Sequence, residues 1–204
     1  IVRRYGLRSV GVRGGEPTLR PERLVRLVKA VKALPFQVRV DLYTNGDALS
    51  DRLLGELQAA GLDALRLNVV ARDFDLGPLS RALRLFPETA VEIPVDPEQT
   101  AELEEMVREL DAMGVPFLNI HELFVCSENA ARMAERGHAS GGPEGPGLLW
   151  EPVAGGGAAA LSLLLFGLRE AKSLSVYYCS TRTQEDISAR RLRRRRRLGA
   201  AGAS

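Results

Sequence analysis

"VRVDLYTNGDALSDRLLGELQAAGLDALRLNVV", residues 38–70, holds one full turn of the chain's architecture. Val38, Val40 and Leu42 alternate with polar residues, the period of a strand with one buried face. Thr44, Asn45 and Gly46 follow as a turn signal. Ser50 stands at a helix N-cap position, and Leu53, Leu54 and Leu57 form one apolar helix face that stops at Gly61. Leu65, Leu67 and Val69 resume the strand period. Strand, helix and strand joined by short connections predict a parallel sheet with helices outside it.

The same unit extends in both directions. Upstream, Leu7, Val10 and Val12 form a strand, and Pro21 opens a helix with Leu24, Leu27, Val28, Val31 and Leu34 on one face. Downstream, Leu76, Leu79, Leu83 and Phe86 predict a short helix, and Val91, Ile93 and Val95 a strand. Pro94 within it predicts a bulge or a strand end. Leu103, Met106, Val107, Leu110 and Met113 line a helix closed by Gly114, and Phe117 to Ile120 is a further strand.

The residues between the apolar strand positions decide how the sheet is used. They are Arg39, Asp41 and Tyr43, then Arg66 and Asn68, then Glu92, then Asn119 and His121. Alternate side chains of a strand share a face. A doubly wound sheet is covered on both faces and reads as continuous apolar runs. A polar second face instead fits a barrel, full or partial, whose lumen holds a ligand. In such barrels the working residues sit at the C-terminal ends of the strands. "GGEP", "TNG", "NVV", "IPVDP" and "NIHEL" all fall there.

Beyond Glu122 the regularity fades. Residues 127–137 read as helical, and residues 139–157 are rich in Gly and Pro and read as a loop. "AAALSLLLFGLREA" reads as a helix, "SLSVYYC" as a strand and "QEDISARRLRRRRR" as a final helix. The chain thus divides into a barrel core over residues 1–138, a loop over 139–157 and a helix–strand–helix extension with a basic tail over 158–204.

The net charge of +2 is too small to imply a nucleic-acid partner, although residues 190–197 are almost all arginine. That run lacks interleaved aromatics and sits at a helix C-terminus, where cations are favourable. The longest apolar run, around residues 158–166, is too short for a bilayer. The two cysteines, Cys126 and Cys179, form no CxxC pair, and a reduced cytoplasmic setting is expected. The chain opens on Ile1, almost at once inside a strand, and reads as a fragment whose upstream part is missing.

"GGEP", residues 14–17, ends the first strand. Gly14 and Gly15 give up conformational entropy and Pro17 a backbone donor, which is costly for a purely structural loop. The placement resembles the second-strand motif of radical S-adenosylmethionine enzymes. "DLYTNG", "VEIPVDP", "FLNIHEL", "SENAARMAERGH" and "VAGGGAAALSLLLFGLREAKSLSVYYCSTR" resemble one branch of that superfamily, related to pyruvate formate-lyase-activating enzymes. The resemblance implies a partial (β/α) TIM-like barrel, α/β in class, with S-adenosylmethionine across its strand ends. It implies a 4Fe–4S cluster and an external electron donor. Together these split the cofactor to a 5′-deoxyadenosyl radical that takes hydrogen from a glycyl-radical protein, a small molecule or an RNA.

The resemblance gives Gly14, Gly15, Glu16 and Pro17 to the methionine amino group of the cofactor. An ammonium wants carbonyls and a carboxylate; Glu16 supplies negative charge or braces the loop. Asn45, Asn68, Glu92 and Asn119 are further cofactor-binding candidates. "TNG" is equally an ordinary turn, and Asn68 and Glu92 are equally lumen residues bonded to a neighbouring strand. His121 shares parity with Asn119, faces inward and is the catalytic candidate, with a satisfied structural histidine as the alternative. Cys126 and Cys179 read as small buried side chains. The family's cluster is held by a CxxxCxxC loop, which this sequence lacks, so metal ligands are expected upstream of Ile1 and the fragment alone is expected to be inactive. Two other readings stay open: a cluster-free (β/α)-barrel lyase, and a non-catalytic barrel with an RNA-binding tail. The first needs a Schiff-base lysine or a metal set, and Lys29, Lys32 and Lys172 all fall on predicted helices, so the lumen offers no lysine.

Overall fold

In a computed structural model, residues 7–127, 129–138 and 150–200 are described. The alternation at residues 39–44 becomes a strand buried on one face. In β2 (Arg39–Thr44), Val40, Leu42 and Thr44 are buried, while Arg39, Asp41 and Tyr43 are half-buried. The remaining strands are β1 (Ser9–Val12), β3 (Ala64–Leu67), β4 (Ala90–Val95), β5 (Phe117–Glu122), β6 (Phe124–Val125), β7 (Glu151–Pro152) and β8 (Ser175–Cys179). The helices are α1 (Pro21–Lys32), α2 (Asp51–Ala59), α3 (Gly77–Leu85), α4 (Thr100–Ala112), α5 (Ala130–Glu135), α6 (Gly156–Glu170) and α7 (Thr181–Ala200).

Six strands form one sheet in the order β1-β2-β3-β4-β5-β8, each neighbour pair parallel. The order follows the chain because each crossover carries a helix back over the same face. β1 and β8 are the two edges, so the sheet curls into a partial (β/α) barrel without closing. The extension of residues 158–204 contributes to this sheet, for β8 pairs with β5 from Phe117↔Ser175 to His121↔Cys179.

The helices cover the apolar face. Leu24 and Val28 of α1, Leu53, Leu54 and Leu57 of α2, and Leu79 and Ala82 of α3 are buried against it. Leu103, Met106, Val107 and Leu110 of α4 join Leu163 and Phe166 of α6. Each fully buried leucine contributes about 1.5–3 kcal/mol relative to exposure. Ser50 caps α2 as its sequence position predicts, its Oγ accepting the Leu53 N–H at 3.2 Å. Gly167 allows α6 to lie close on β8, since a Cβ there would meet Cγ2 of Val176 at 2.9 Å.

Some expectations shift. β3 ends at Leu67, and Val69 instead caps a short 3₁₀ turn over Val70–Arg72. Pro94 causes no bulge: β4 keeps its register with β5 through Val95, while its pairing with β3 stops at Val91. A missing N–H is tolerated at such a position. The helix expected over 127–137 is the shorter α5. The loop expected over 139–157 ends early, with β7 at Glu151 and α6 at Gly156; residues 139–149 lie outside the described residues. β6 and β7 form an antiparallel ribbon that the sequence does not announce, because two-residue strands have no periodicity. Among the described residues, no helix is long and apolar enough to cross a membrane.

Candidate cofactor-binding site

A cavity of about 510 Å³ opens at the C-terminal ends of the parallel strands, within the usual range for small-molecule sites. Gly14, Gly15, Glu16, Asn45, Asn68, Glu92 and His121 all line it. Pro17 lies outside its wall and starts a 3₁₀ turn, Pro17–Leu19. Asn119 also lies outside the wall, but its Nδ2 sits 3.3 Å from Nε2 of His121.

The GGEP turn is built by positive backbone angles and by one carboxylate. Gly14 and Gly15 have φ of +106° and +52°, a region that L side chains rarely adopt. A Cβ at either would meet nothing within 4 Å, so both glycines present bare backbone to open space at the cavity. Glu16 points back into the protein. Its Oε1 accepts from the Thr18 N–H at 3.0 Å and from the Thr18 and Thr44 hydroxyls at 2.6 Å each. Its Oε2 accepts from the Asn45 N–H at 2.8 Å. Of the two roles the sequence leaves for Glu16, these bonds are those of a brace.

Asn45 is occupied locally: its Nδ2 donates to Asp47 at 2.6 Å, and its Oδ1 accepts the Asp47 N–H at 3.0 Å. The "TNG" signal is thus a turn whose backbone holds Glu16. Oδ1 of Asn68 accepts the Ala71 N–H at 3.3 Å, starting the turn after β3.

The concave face carries a polar chain across neighbouring strands. Arg66 lies 3.6 Å from Asp41 and 3.8 Å from Glu92, and Glu92 lies 3.4 Å from Nε2 of His121. Burial works against the charge on Glu92. The hydrogen bond and charge at His121, a hydrogen bond from Asn119 and the charge of Arg66 outweigh it and hold the carboxyl below its ordinary range. Nδ1 of His121, Nε of Arg66 and Oδ1 of Asn119 are buried without a partner. The next strand residue, Glu122, is buried and accepts the Thr181 N–H at 2.6 Å and the Tyr178 hydroxyl, and at the strand end it too reaches the cavity wall.

Sequence reasoning passes over several wall residues. Arg13 lies over the Tyr43 ring at 3.9 Å, and both line the cavity. Phe124 from the β6–β7 ribbon, Asn129 before α5 and Gln184 from α7 complete the wall. Tyr43 and Arg66 carry a readable signal, their parity with Asp41 and Glu92. The last three come from segments without periodicity.

This donor set suits S-adenosylmethionine: exposed loop backbone for an ammonium, polar side chains on the floor and an aromatic wall. It does not suit an iron–sulfur cluster. Three thiolates are needed, and the chain has two cysteines. Burial, with the charges of Glu92 and Glu122, pushes the Cys179 thiol up, away from the thiolate form. Cys126 is half-buried and Cys179 buried.

No family model matches the chain. A protein of Methanocaldococcus jannaschii, provisionally named a glycyl-radical enzyme activating enzyme, is 28% identical over 140 residues. That match covers 64% of this chain and 37% of the relative. GTP 3′,8-cyclase of Synechococcus elongatus is 50% identical over 68 residues, 33% of this chain and 20% of the relative. The matched region therefore spans little more than a third of the longer-matching relative. Among solved structures, the radical S-adenosylmethionine methyltransferase TsrM of Kitasatospora setae, with cobalamin and a 4Fe–4S cluster bound, gives a TM-score of 0.48 at 16% identity. It covers 78% of this chain and 38% of that one. The similarity to these named enzymes supports the radical S-adenosylmethionine superfamily for this chain.

Proposed function

We propose that the cavity binds S-adenosylmethionine and that the chain forms the cofactor-binding part of an enzyme acting on a glycyl-radical protein. The observation that carries the reading is the GGEP turn. Two glycines at positive φ face the cavity, and the acid behind them is consumed by the end of β2. A loop fixed so firmly, with its backbone left bare, suits a ligand whose cationic amine needs carbonyl acceptors.

S-adenosylmethionine held at Gly14, Gly15, Asn68 and Glu92 would supply radical hydrogen-abstraction chemistry. The thiolate ligands of a 4Fe–4S cluster would come from residues other than these 204. The chain's own residues bind and orient. Gly14 and Gly15 offer backbone, Glu16 holds the turn, and Asn68 and Glu92 line the floor. His121 lines the cavity from β5, beside the edge strand β8, and is the residue we assign to hold a substrate group or a proton. Phe124, stacked on Trp150 at 4.6 Å, gives a flat apolar wall that excludes water.

The M. jannaschii relative favours a protein substrate, because its match covers nearly two thirds of the chain. The shorter cyclase match favours a small molecule and covers a third. Calorimetry with S-adenosylmethionine tests the cofactor reading. Binding by the wild-type chain, weakened about tenfold or more (1.4 kcal/mol) by Gly15→Val, is expected. No binding at millimolar cofactor, or unchanged affinity in Gly15→Val, overturns it.

A further inference from the structure

Asp96, Glu98 and His138 meet just beyond the C-terminal end of β4, and none of them lines the cavity. Each offers one ligand atom, and the three atoms lie within 4.8 Å of one another. The His138 side chain is 3% exposed, and its Nε2 lies 3.0 Å from Oδ2 of Asp96. Oδ1 of Asp96 accepts the Glu98 N–H at 3.0 Å, a tight turn that sets Glu98 beside the pair. Glu98 itself is exposed. Among the described residues, no lysine or arginine pairs with either carboxylate.

We propose that this trio binds a divalent transition-metal ion, zinc foremost. Its ligands are Nε2 of His138 and one oxygen each from Asp96 and Glu98, with water in the fourth position. Two ligands about 2.0–2.1 Å from a tetrahedral zinc lie roughly 3.3 Å apart. The His138–Asp96 pair, at 3.0 Å, already has nearly that spacing. One imidazole with two carboxylates suits zinc, manganese or ferrous iron, whereas calcium takes six to eight oxygens. A histidine–aspartate hydrogen bond explains two of the residues. It leaves a second carboxylate beside the first with no cation, which a bound dication neutralises. The ion would clamp the end of α5 to the end of β4. Both segments reach the cavity wall, through Asn129 and Pro94.

The test uses the full, tag-free chain stripped with a chelator. Zinc titration by calorimetry and cobalt(II) absorption spectra give stoichiometry and geometry, and the thermal midpoint gives linkage to folding. One zinc per chain, a raised midpoint and tetrahedral cobalt bands are expected. Glu98→Gln, an exposed change that leaves the metal-free midpoint unchanged, should weaken zinc about tenfold or more (1.4 kcal/mol), and His138→Gln should abolish binding. The Cys126→Ala/Cys179→Ala double variant should bind as the wild type does. No stoichiometric zinc in the wild type, full affinity in Glu98→Gln, or loss in the cysteine double variant each overturns the proposal.

Discussion

Glu16 and Thr44 join the ends of neighbouring strands: the Thr44 hydroxyl donates to Oε1 of Glu16 at 2.6 Å, and that hydroxyl in turn accepts the Gly46 N–H at 3.0 Å. The Asn45 N–H donates to the other oxygen of the same carboxylate. The turn after β1 and the turn after β2 are therefore tied to each other through one carboxylate, and the acid of GGEP spends its lone pairs on the protein.

Glu16→Gln tests that arrangement. A glutamine retains one acceptor oxygen and places an NH₂ group against a backbone or hydroxyl donor. The loss of a buried partner costs about 1–3 kcal/mol. Denaturant unfolding should show a drop of that size, and S-adenosylmethionine affinity should fall with it. Unchanged unfolding would show that the carboxylate is not needed as a brace.

Gly15→Val and Gly61→Ala separate ligand effects from backbone effects. Gly15 and Gly61 both have positive φ, +52° and +89°. A left-handed residue with a Cβ costs about 1–2 kcal/mol, so each variant should lose stability. Gly61 packs on the Lys32 side chain, away from the cavity. Calorimetry should therefore find cofactor binding reduced only in Gly15→Val.

Much of the frame was legible because its periods are long. Strands need alternation over several residues and helices need a face, and residues 38–122 supply both for β2 to β5, four of the six parallel strands. The concave floor was legible by parity, which puts Arg66, Glu92 and His121 on one side. Parity separates His121 from Glu122 only in part: Glu122 is buried, yet both residues reach the cavity where β5 ends. The ribbon of β6 and β7, Asn129 and Gln184 were not legible. They reach the cavity through tertiary packing of short segments, where no local pattern distinguishes a wall residue from a loop residue. Asn45 shows the converse, a residue whose turn chemistry was plain but whose side chain is used up by Asp47.

Glu92 should give the fold an acid-sensitive component. Its carboxyl is held below the ordinary range in the folded chain. It therefore contributes stability that is complete above the unfolded value of about 4.3 and is lost as pH falls through the lower folded value. Thermal melts should show Glu92→Gln less stable than wild type at neutral pH, with the two curves converging on acidification. Parallel curves would remove Glu92 from the acid response.

Glu122→Ala should loosen the start of α7. The change removes the acceptor of the Thr181 N–H and one partner of the Tyr178 hydroxyl at a residue that is 3% exposed. A cost of about 1–3 kcal/mol follows. Hydrogen exchange should show faster exchange at Thr181 and its neighbours, with β2 and β3 unchanged. Uniform acceleration across the sheet would mean that Glu122 supports the whole fold instead.

Anaerobic reconstitution with iron and sulfide should give this chain no stoichiometric four-iron cluster, for lack of a third thiolate. A cubane spectrum that disappears on substituting Cys126 or Cys179 would contradict that expectation.

The stack of Trp150 on Phe124, with ring planes 6° apart, places the chain's one tryptophan directly behind a cavity wall residue. The protein thus carries its own optical probe. Any molecule that presses on Phe124 changes the surroundings of a single indole, so emission intensity or wavelength can follow occupancy in real time without a label. A Phe124→Leu variant would silence that signal while leaving the GGEP turn intact, which distinguishes filling of the aromatic end of the cavity from filling of the glycine end.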